Sequence, residues 1–325
     1  MMPLLEARGV TRRFASRRGR VLAVDAVDLD VFAGEMLGIV GESGSGKSTL
    51  GRLLVGLDVP TSGSVRFDGA PVPTRDGAAF RHARTRLQYL WQDPLSALNP
   101  RLTVGSQIAE VLRVHRLSTD PDARVAELLR SVALDPAHAA RYPHQLSGGQ
   151  RQRAVLARTL AVAPDLVVFD EPVSALDLLV QAQVVAQIAK IRQATGLTGI
   201  FISHDLRVVR YVSDRIAVMY LGGIVETGPA DALFHDPRHP YTQALLSALP
   251  SVNPDRRRAR VRLDGDPPDP AHRPSGCAFH PRCPLARPIC AEARPEIRAL
   301  GAGRSAACHV TAAVPAATTH PGIPA

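Results

Sequence analysis

Residues 41–48 combine three glycines with three serines and a lysine in the order G-E-S-G-S-G-K-S, which fits the pattern G-x-x-x-x-G-K-S. Glycines let successive backbone N–H groups turn inward around phosphate oxygens, and a helix that begins here adds the positive end of its dipole. We therefore expect Lys47 to reach the β and γ phosphates of a nucleotide and Ser48 to hold Mg²⁺. The residues of this phosphate loop predicted to bind nucleotide are Gly41, Glu42, Ser43, Gly44, Ser45, Gly46, Lys47, Ser48 and Thr49.

An ordinary flexible Gly/Ser loop is the alternative for this segment. The flanks argue against it, because the apolar run L-G-I-V precedes the loop and the helix-compatible run T-L-G-R-L-L-V-G-L follows it. A strand, a glycine-rich loop and a helix start in this order are the context that phosphate binding requires.

A second candidate is the pair Asp170 and Glu171, which ends the apolar run L-V-V-F between Pro164 and Pro172. Two carboxylates at the end of a buried strand are costly unless they are used. Asp170 suits indirect coordination of Mg²⁺, and Glu171 suits polarisation of an attacking water. The alternative is a strand-end pair that only caps the next segment.

The composition is that of a folded chain, with 45% hydrophobic and 21% charged residues. We find no apolar run of the roughly 18 to 20 residues needed to span a bilayer and no secretory leader, which predicts a cytoplasmic protein without a transmembrane segment. The net charge of +9 suggests nucleic acid or an anionic surface, but 11 basic and 6 acidic residues lie from position 251 onward, so residues 1–250 are nearly balanced. Only two lysines are present among 39 basic residues, and Lys47 is one of them.

Apolar runs of strand length alternate with helix-length segments, for example residues 178–194 followed by the strand I-F-I-S at residues 200–203. This alternation predicts an α/β protein with a doubly wound parallel sheet. Residues of about 93–163 look mostly helical and form an insertion. Residues 10–31 and 65–68 alternate apolar and polar positions, as antiparallel strands do, and the glycine pair at 222–223 suits a tight hairpin turn.

The segment L-S-G-G-Q at residues 146–150, together with the phosphate loop and the D-E pair, closely resembles the signature of ATP-binding-cassette (ABC) ATPases over about residues 4–310. The resemblance implies a P-loop NTPase fold: a RecA-like parallel sheet, an antiparallel β subdomain and an inserted helical subdomain. In this family the signature, which opens a helix expected at 151–163, contacts ATP held by the partner subunit, so two ATP molecules lie between head-to-tail subunits. The signature residues are Ser147, Gly148, Gly149 and Gln150.

The resemblance also implies roles for single residues. Gln92 would contact Mg²⁺ and the attacking water and link the site to a membrane subunit. His204 would bond the γ-phosphate, although a strand-end histidine is often structural. Asp177 would align the opposing site. Phe14 would stack under adenine, with core packing as its alternative. Glu171 would be the general base, making the protein an ATPase.

Several longer stretches, including W-Q-D-P-L-S-A-L-N-P-R-L-T-V-G and H-P-Y-T-Q-A-L-L-S-A-L-P, resemble the second, F-type ATPase subunit of bacterial dipeptide and oligopeptide importers. This implies a D-type ATPase partner in a heterodimer, two membrane permeases, an extracytoplasmic binding protein, and a location at the cytoplasmic face of the cell membrane. Relatives import nickel complexes, so nickel or another solute remains an alternative cargo. A nucleic-acid-associated ABC protein and an exporter or lipid cassette are the less favoured alternatives, and we expect no nucleic-acid partner.

After Pro250 the composition changes to Pro, Arg and Ala with all four cysteines in the spacing C-x₅-C-x₆-C-x₁₇-C. Four thiolates suit a 4Fe–4S cluster or Zn²⁺; the spacing lacks the C-x₂-C typical of zinc and the resemblance favours iron–sulfur, while free thiols remain open. The predicted division is an ATP-binding domain at 1–250, a C-terminal module at 251–311 and a disordered tail at 312–325. The candidate ligands are Cys277, Cys283, Cys290 and Cys308.

Overall fold

The computed structural model describes residues 2–16, 19–75, 77–249, 265–266, 268–269 and 271–311 of the 325-residue chain. The expected disordered tail at 312–325 and the first part of the C-terminal module, 251–264, lie outside the described residues. The tail and the domain boundary near residue 250 therefore stay predictions.

Strands and helices alternate along most of the described chain. The strands are β1 (Leu5–Ser16), β2 (Gly19–Val31), β3 (Met36–Val40), β4 (Ser62–Phe67), β5 (Ala70–Pro71), β6 (Leu87–Leu90), β7 (Leu166–Asp170), β8 (Thr198–Ile202), β9 (Arg215–Tyr220), β10 (Gly223–Pro229), β11 (Arg298–Gly301) and β12 (Arg304–Ala306). The α-helices are α1 (Lys47–Leu54), α2 (Ala78–Arg86), α3 (Pro94–Ala97), α4 (Val104–Val114), α5 (Pro121–Ser131), α6 (Gly148–Leu160), α7 (Leu178–Thr195), α8 (Leu206–Val212), α9 (Ala230–His235), α10 (Pro240–Ser247) and α11 (Pro288–Glu292).

The larger sheet is built on parallel strands in the spatial order β9-β3-β8-β7-β6. Strands β3, β7 and β8 are buried at every position, which explains why they appear in the sequence as continuous apolar runs. The carboxyl ends of parallel strands lie along one edge of a sheet. The phosphate loop follows β3, Gln92 follows β6, Glu171 follows β7 and His204 follows β8, so the sheet brings these segments to the same edge. This arrangement confirms the predicted fold class.

A second sheet, of order β2-β1-β4-β5, is antiparallel. It corresponds to the antiparallel β subdomain expected from the alternating pattern. The predicted hairpin is also present: Tyr220 pairs with Gly223, and the two turn residues Leu221 and Gly222 both have positive φ, 41° and 82°. Two such residues define the tight turn that matches the twist of a hairpin.

The helical insertion lies between β6 and β7 and contains α3, α4, α5 and α6. Side chains fix where its helices begin. Thr103 accepts a hydrogen bond from the N–H of Ser106 before α4, and Asp120 accepts one from the N–H of Ala123 before α5. Such caps satisfy backbone donors that the first helical turn leaves without partners. No helix among the described residues combines the length and apolar character needed to cross a bilayer.

The C-terminal module is joined to the main domain through the larger sheet. Strand β12 pairs with β10 through Glu226 and Ala306, and β11 pairs with β12. The module also inserts Phe279, which is 1% exposed, against the rings of Tyr220 and Tyr241. The separate small module suggested by the change in composition is therefore, in its described residues, an extension of the central sheet.

Candidate functional site

The phosphate loop follows the buried strand β3 and leads directly into helix α1. Gly46 caps the helix with φ of 100°, and a Cβ atom at this position would lie 2.1 Å from the carbonyl oxygen of Ala23. A side chain is excluded both by this contact and by the backbone conformation. Only glycine therefore allows the loop to approach the backbone at Ala23 this closely.

Lys47 spans this loop. Its side chain is buried, and Nζ donates to the carbonyl oxygens of Gly41 at 2.8 Å and Glu42 at 2.9 Å. Burial lowers the pKa of Lys47, while the carboxylates of Glu171, Asp170 and Glu42 oppose that effect. The hydrogen-bond acceptors nearest the buried Lys47 ammonium are carbonyl oxygens rather than a carboxylate. Lys47 is therefore suited to bind the negatively charged phosphates of a nucleotide.

Ser48 and Asp170 meet beside the loop. The Ser48 hydroxyl donates to Oδ1 of Asp170 at 2.8 Å, and the Tyr89 hydroxyl donates to Oδ2 at 2.6 Å. Burial and the neighbouring Asp170 raise the pKa of Tyr89, so it stays a donor. Sequence reasoning missed Tyr89, which lies on β6 in an apolar run without a motif.

A hydroxyl and one carboxylate fit the chemistry of Mg²⁺, which is usually held by one or two carboxylates together with substrate phosphates and water. Among the described residues, no group of three or more His, Cys, Asp or Glu side chains is placed to hold a metal ion. The site would therefore bind Mg²⁺ together with the nucleotide.

Three candidate catalytic side chains converge next to the loop. Oε2 of Glu171 lies 3.4 Å from Nε2 of Gln92 and 3.3 Å from Nδ1 of His204. Glu171 has φ of 45°, a left-handed conformation that costs an L-residue about 1 to 2 kcal/mol; strained residues of this kind cluster at active sites. The Glu171 side chain is 17% exposed and that of His204 is 59% exposed, so both remain accessible to a ligand.

These residues surround one cavity of about 480 Å³. A cavity of this size accommodates a drug-sized or nucleotide-sized ligand. Its lining residues are Val21, Ala23, Ser43, Gly44, Gly46, Lys47, Ser48, Thr49, Gln92, Glu171 and His204. Nine of these residues are among those that the sequence assigned to nucleotide binding and hydrolysis: Ser43, Gly44, Gly46, Lys47, Ser48, Thr49, Gln92, Glu171 and His204.

Four residues predicted at the nucleotide of this chain's own site, Phe14, Gly41, Glu42 and Ser45, do not line this cavity. The carboxylate of Glu42 instead forms an ion pair with Arg282, Oε2 to Nη1 2.9 Å. Phe14 is half-buried on β1, and the guanidinium of Arg12 lies 4.6 Å above the centre of its ring. The cavity is lined instead by Val21, the residue that pairs with Phe14 across the two strands.

The signature segment forms the start of α6. Ser147 is the N-cap: its Oγ accepts from the N–H of Gln150 at 3.3 Å, and the Gln150 side chain accepts from the N–H of Ser147 at 3.0 Å. The sequence predicts this helix at residues 151–163, but in the structure it begins at Gly148 and ends at Leu160, three residues earlier. The capping box explains the earlier start, since serine followed three residues later by glutamine satisfies two backbone donors at once.

The signature is separate from the cavity of its own chain's phosphate loop. Ser147 is exposed, and residues 147–150 are not part of the cavity lining. Gly149 packs beneath α7, where a Cβ would lie 2.4 Å from Cγ1 of Val180. Asp177 caps α7 by accepting from the N–H of Val180 at 3.0 Å. The signature and the start of α7 at Asp177 therefore lie side by side and form one surface that another chain could contact.

The four cysteines lie within electrostatic reach of one another, and all are free thiols. Burial raises the pKa of Cys277, and the neighbouring Cys308 and Cys290 add to the effect. Burial also raises the pKa of Cys283 to about 11. In the part of the chain that the structure describes, however, these thiols do not converge as metal ligands. The structure therefore gathers the predicted cluster residues but does not support the predicted iron–sulfur or zinc site.

Two family models match the chain. Residues 24–174 match the model described as ABC transporter, and residues 225–290 match the model described as oligopeptide/dipeptide transporter, C-terminal region. The first match contains the phosphate loop, the signature and the D-E pair. The second contains three of the four cysteines and the segment H-P-Y-T-Q-A-L-L.

Full-length relatives and solved structures agree with these matches. A di/tripeptide transport ATP-binding protein, DppF, of Pseudomonas aeruginosa is 44% identical over 317 residues, 95% of this chain and 98% of that protein. A Brucella ovis protein named as a peptide import ATP-binding protein is 46% identical over 308 residues, 94% of this chain and 97% of that protein. A dimeric ATP-binding cassette in a post-hydrolysis state, with ADP and Pi bound, superposes with a TM-score of 0.63 at 28% identity, covering 70% of this chain and 98% of that one.

Proposed function

Because this chain belongs to the ATP-binding proteins of peptide-importing ABC transporters, we propose that it hydrolyses ATP to power the import of dipeptides and oligopeptides. The observation that carries the proposal is the single cavity at the carboxyl edge of the sheet. There the phosphate loop and the Ser48–Asp170 pair lie beside Glu171 and its two neighbours, Gln92 and His204.

Each part of this cavity has a role in binding ATP. The loop amides and Lys47 hold the β and γ phosphates. Ser48 and Asp170, with Gln92, would hold Mg²⁺, which when bound neutralises charge that develops on the phosphate oxygens. The glycine positions keep the backbone close enough for the amides to reach the phosphates.

Glu171 is the general base of the proposed reaction. Its carboxylate accepts a proton from the water that attacks the γ-phosphorus, and Gln92 and His204 orient the water and the γ-phosphate. Their present contacts with Glu171, at 3.4 Å and 3.3 Å, are long hydrogen bonds. Such contacts commonly tighten when the substrate is bound.

The site is completed by a second ATPase subunit. Two observations support this: Ser147 is exposed and does not line the cavity of the chain's own loop, and the solved structures to which the chain is similar include dimeric cassettes. Leu178 and Leu179, next to Asp177, are 72% and 71% exposed, an apolar pair that association would remove from water. We propose that the partner is a different, D-type subunit and that Asp177 aligns its site.

The assembly also includes membrane subunits. Trp91, which precedes Gln92, is 43% exposed and offers an apolar contact beside a residue of the catalytic cavity. We propose that one of the two permeases docks there at the cytoplasmic face of the membrane, and that an extracytoplasmic binding protein delivers the peptide.

A cluster on the four cysteines is a separate proposal. Four free thiols within one module support it, and their lack of convergence in this structure counts against it. Anaerobic purification followed by iron, acid-labile sulfide and zinc analysis decides among iron–sulfur, zinc and free thiols. The variant with Cys277 and Cys283 both replaced by serine is the control for background metal.

The main proposal is tested by reconstituting the chain with its copurifying membrane and ATPase subunits in proteoliposomes. We expect phosphate release that is stimulated by a peptide-loaded binding protein, with uptake of labelled dipeptide. A Lys47→Ala chain gives the background. Phosphate release at that background for the unmodified chain would refute the ATPase, and stimulation by a nickel complex but by no peptide would refute the cargo.

A further inference from the structure

The C-terminal module reaches the phosphate loop through one arginine. Arg282 ends a short 3₁₀ helix, His280–Arg282, and immediately precedes Cys283. Its Nη1 lies 2.9 Å from Oε2 of Glu42, and its Nη2 lies 3.3 Å from Oε1. The Arg282 side chain is only 8% exposed and that of Glu42 is 25% exposed. This is a two-pronged, largely buried ion pair between residues 240 positions apart in the sequence.

A tyrosine of the main domain contacts the backbone of the same loop residue, Glu42. The N–H of Glu42 donates to the hydroxyl of Tyr241 at 2.9 Å. Phe279 of the module packs against the ring of Tyr241 with a centroid distance of 5.4 Å. Both the side chain and the backbone of Glu42 are therefore fixed by groups that depend on the module.

The position of Glu42 matters because Lys47 depends on it. The Glu42 carbonyl oxygen accepts a hydrogen bond from the Lys47 ammonium at 2.9 Å. A displacement of the Glu42 backbone would thus move the group expected to meet the β and γ phosphates.

The module is attached to the cavity at a second point. Arg273 and Arg294 each place Nη1 2.6 Å from Oδ2 of Asp25 on β2. Asp25 lies two residues after Ala23, whose carbonyl oxygen is in contact with the Gly46 turn. Both attachments end beside the phosphate loop, which argues that the module orients the loop as well as extending the sheet.

We propose that Arg282 is a positioning residue that holds the phosphate loop, through Glu42, in the conformation that binds ATP. The inference deepens the proposed function and rests on it. Arg282 does not touch the nucleotide in this account, because its guanidinium is occupied by Glu42 and by the hydroxyl of Tyr220. It acts by limiting the motion of residues 41–47.

The test measures binding of a fluorescent ATP analogue, in the presence of Mg²⁺, to the full chain copurified with its partner subunits. Arg282→Gln is expected to raise the Kd on the order of tenfold, because it leaves a partly buried carboxylate without its charged partner. Arg282→Lys should recover part of the affinity, since a point charge replaces a bidentate fork. Arg298→Gln, an exposed arginine of the same module, is the matched control.

Two further readouts separate positioning from a general loss of structure. Arg282→Gln should raise the KM for ATP more than it lowers kcat. A Glu42→Gln and Arg282→Gln double variant should lose no more affinity than the worse single variant, because both changes break the same contact. If Arg282→Gln does not fold, Tyr241→Phe, which removes only the hydroxyl that accepts from the Glu42 N–H, should weaken binding in the same way.

Failure of this inference is distinguishable from failure of the proposed function. An unmodified chain that binds no nucleotide contradicts the proposed function. An unmodified chain that binds nucleotide, with folded Arg282→Gln or Tyr241→Phe variants of equal affinity, contradicts only the positioning role.

Discussion

The Ser48 hydroxyl lies 2.8 Å from Oδ1 of Asp170 and joins the phosphate loop to the central strand β7. The other carboxylate oxygen accepts from Tyr89, so both oxygens of this buried carboxylate are hydrogen-bonded. If Mg²⁺ replaced the Ser48 hydroxyl as the partner of Oδ1, the hydrogen bond from Tyr89 to Oδ2 would remain. The tyrosine would therefore fix the orientation in which Asp170 meets the proposed Mg²⁺.

Replacing Tyr89 by phenylalanine tests this relationship. We expect the Mg²⁺ concentration for half-maximal ATP hydrolysis to rise about tenfold, the lower end of the effect seen when a group behind a metal ligand is removed. Nucleotide affinity without Mg²⁺ should stay unchanged, because Tyr89 is not among the residues lining the cavity. Tyr211→Phe, at a site 67% exposed, is the matched control. An unaltered Mg²⁺ requirement would show that Asp170 needs no such support.

Replacing Glu171 by glutamine should separate hydrolysis from binding. The amide keeps the size of the side chain and its contacts with Gln92 and His204 but cannot accept the proton of the attacking water. We expect phosphate release by the assembled complex to fall by about 10² to 10⁴, the range for a general base, while the Kd for the nucleotide is kept. Glu127→Gln, on the exposed surface of α5, is the control. Normal hydrolysis by the Glu171 variant would place the base elsewhere.

The sequence allowed the catalytic edge of the sheet to be predicted, because local patterns carry the information. Buried parallel strands appear as short apolar runs, and their carboxyl ends must lie on one edge. The meeting of the phosphate loop with Asp170, Glu171 and His204 follows from that alone. The assignment of Gln92 to this site came from the family resemblance, and in the structure its Nε2 lies 3.4 Å from Oε2 of Glu171.

The contacts that could not be predicted join segments far apart in sequence. Glu42 was assigned to the nucleotide because it lies inside the motif, yet its carboxylate pairs with Arg282. Tyr89 gave no signal, since a tyrosine in an apolar run is equally consistent with core packing. The sequence gives no sign that the module extends the sheet. Strands β11 and β12 are only four and three residues long, and they are stabilised by pairing rather than by an apolar pattern that the sequence would reveal.

His239 makes the stability of the protein depend on pH. Burial lowers its pKa to about 3, whereas a histidine in the unfolded chain titrates near 6.5. The unfolded state therefore binds more protons between these values, so the contribution of His239 is fully present above about pH 6.5 and is lost as the pH falls toward 3. One proton corresponds to about 1.4 kcal/mol of unfolding free energy per pH unit.

Replacing His239 by asparagine should remove this dependence. Asparagine can still cap α10, as His239 does by accepting from the N–H of Tyr241, but it does not titrate. Denaturant unfolding at several pH values should give a slope between pH 6 and 4 that is shallower by about one proton than that of the unmodified chain. His82→Asn, at an exposed position, is the matched control. An identical slope would mean that His239 is protonated without unfolding.

Ser147 should contribute both to the stability of its own chain and to the activity of the assembled pair. Its hydroxyl caps α6, and replacing such a cap by alanine costs about 1 kcal/mol. Because Ser147 is not among the residues lining the chain's own cavity, Ser147→Ala should leave nucleotide binding to the isolated chain unchanged. In the complex the same variant should slow hydrolysis, since a donor to the γ-phosphate held by the partner subunit is lost.

Thr103→Ala is the matched control, because Thr103 caps α4 in the same way and should lower the thermal midpoint without slowing hydrolysis beyond that effect. Weaker nucleotide binding by the isolated Ser147→Ala chain, or equal losses of hydrolysis in both variants, would contradict a role for the signature at the partner's site.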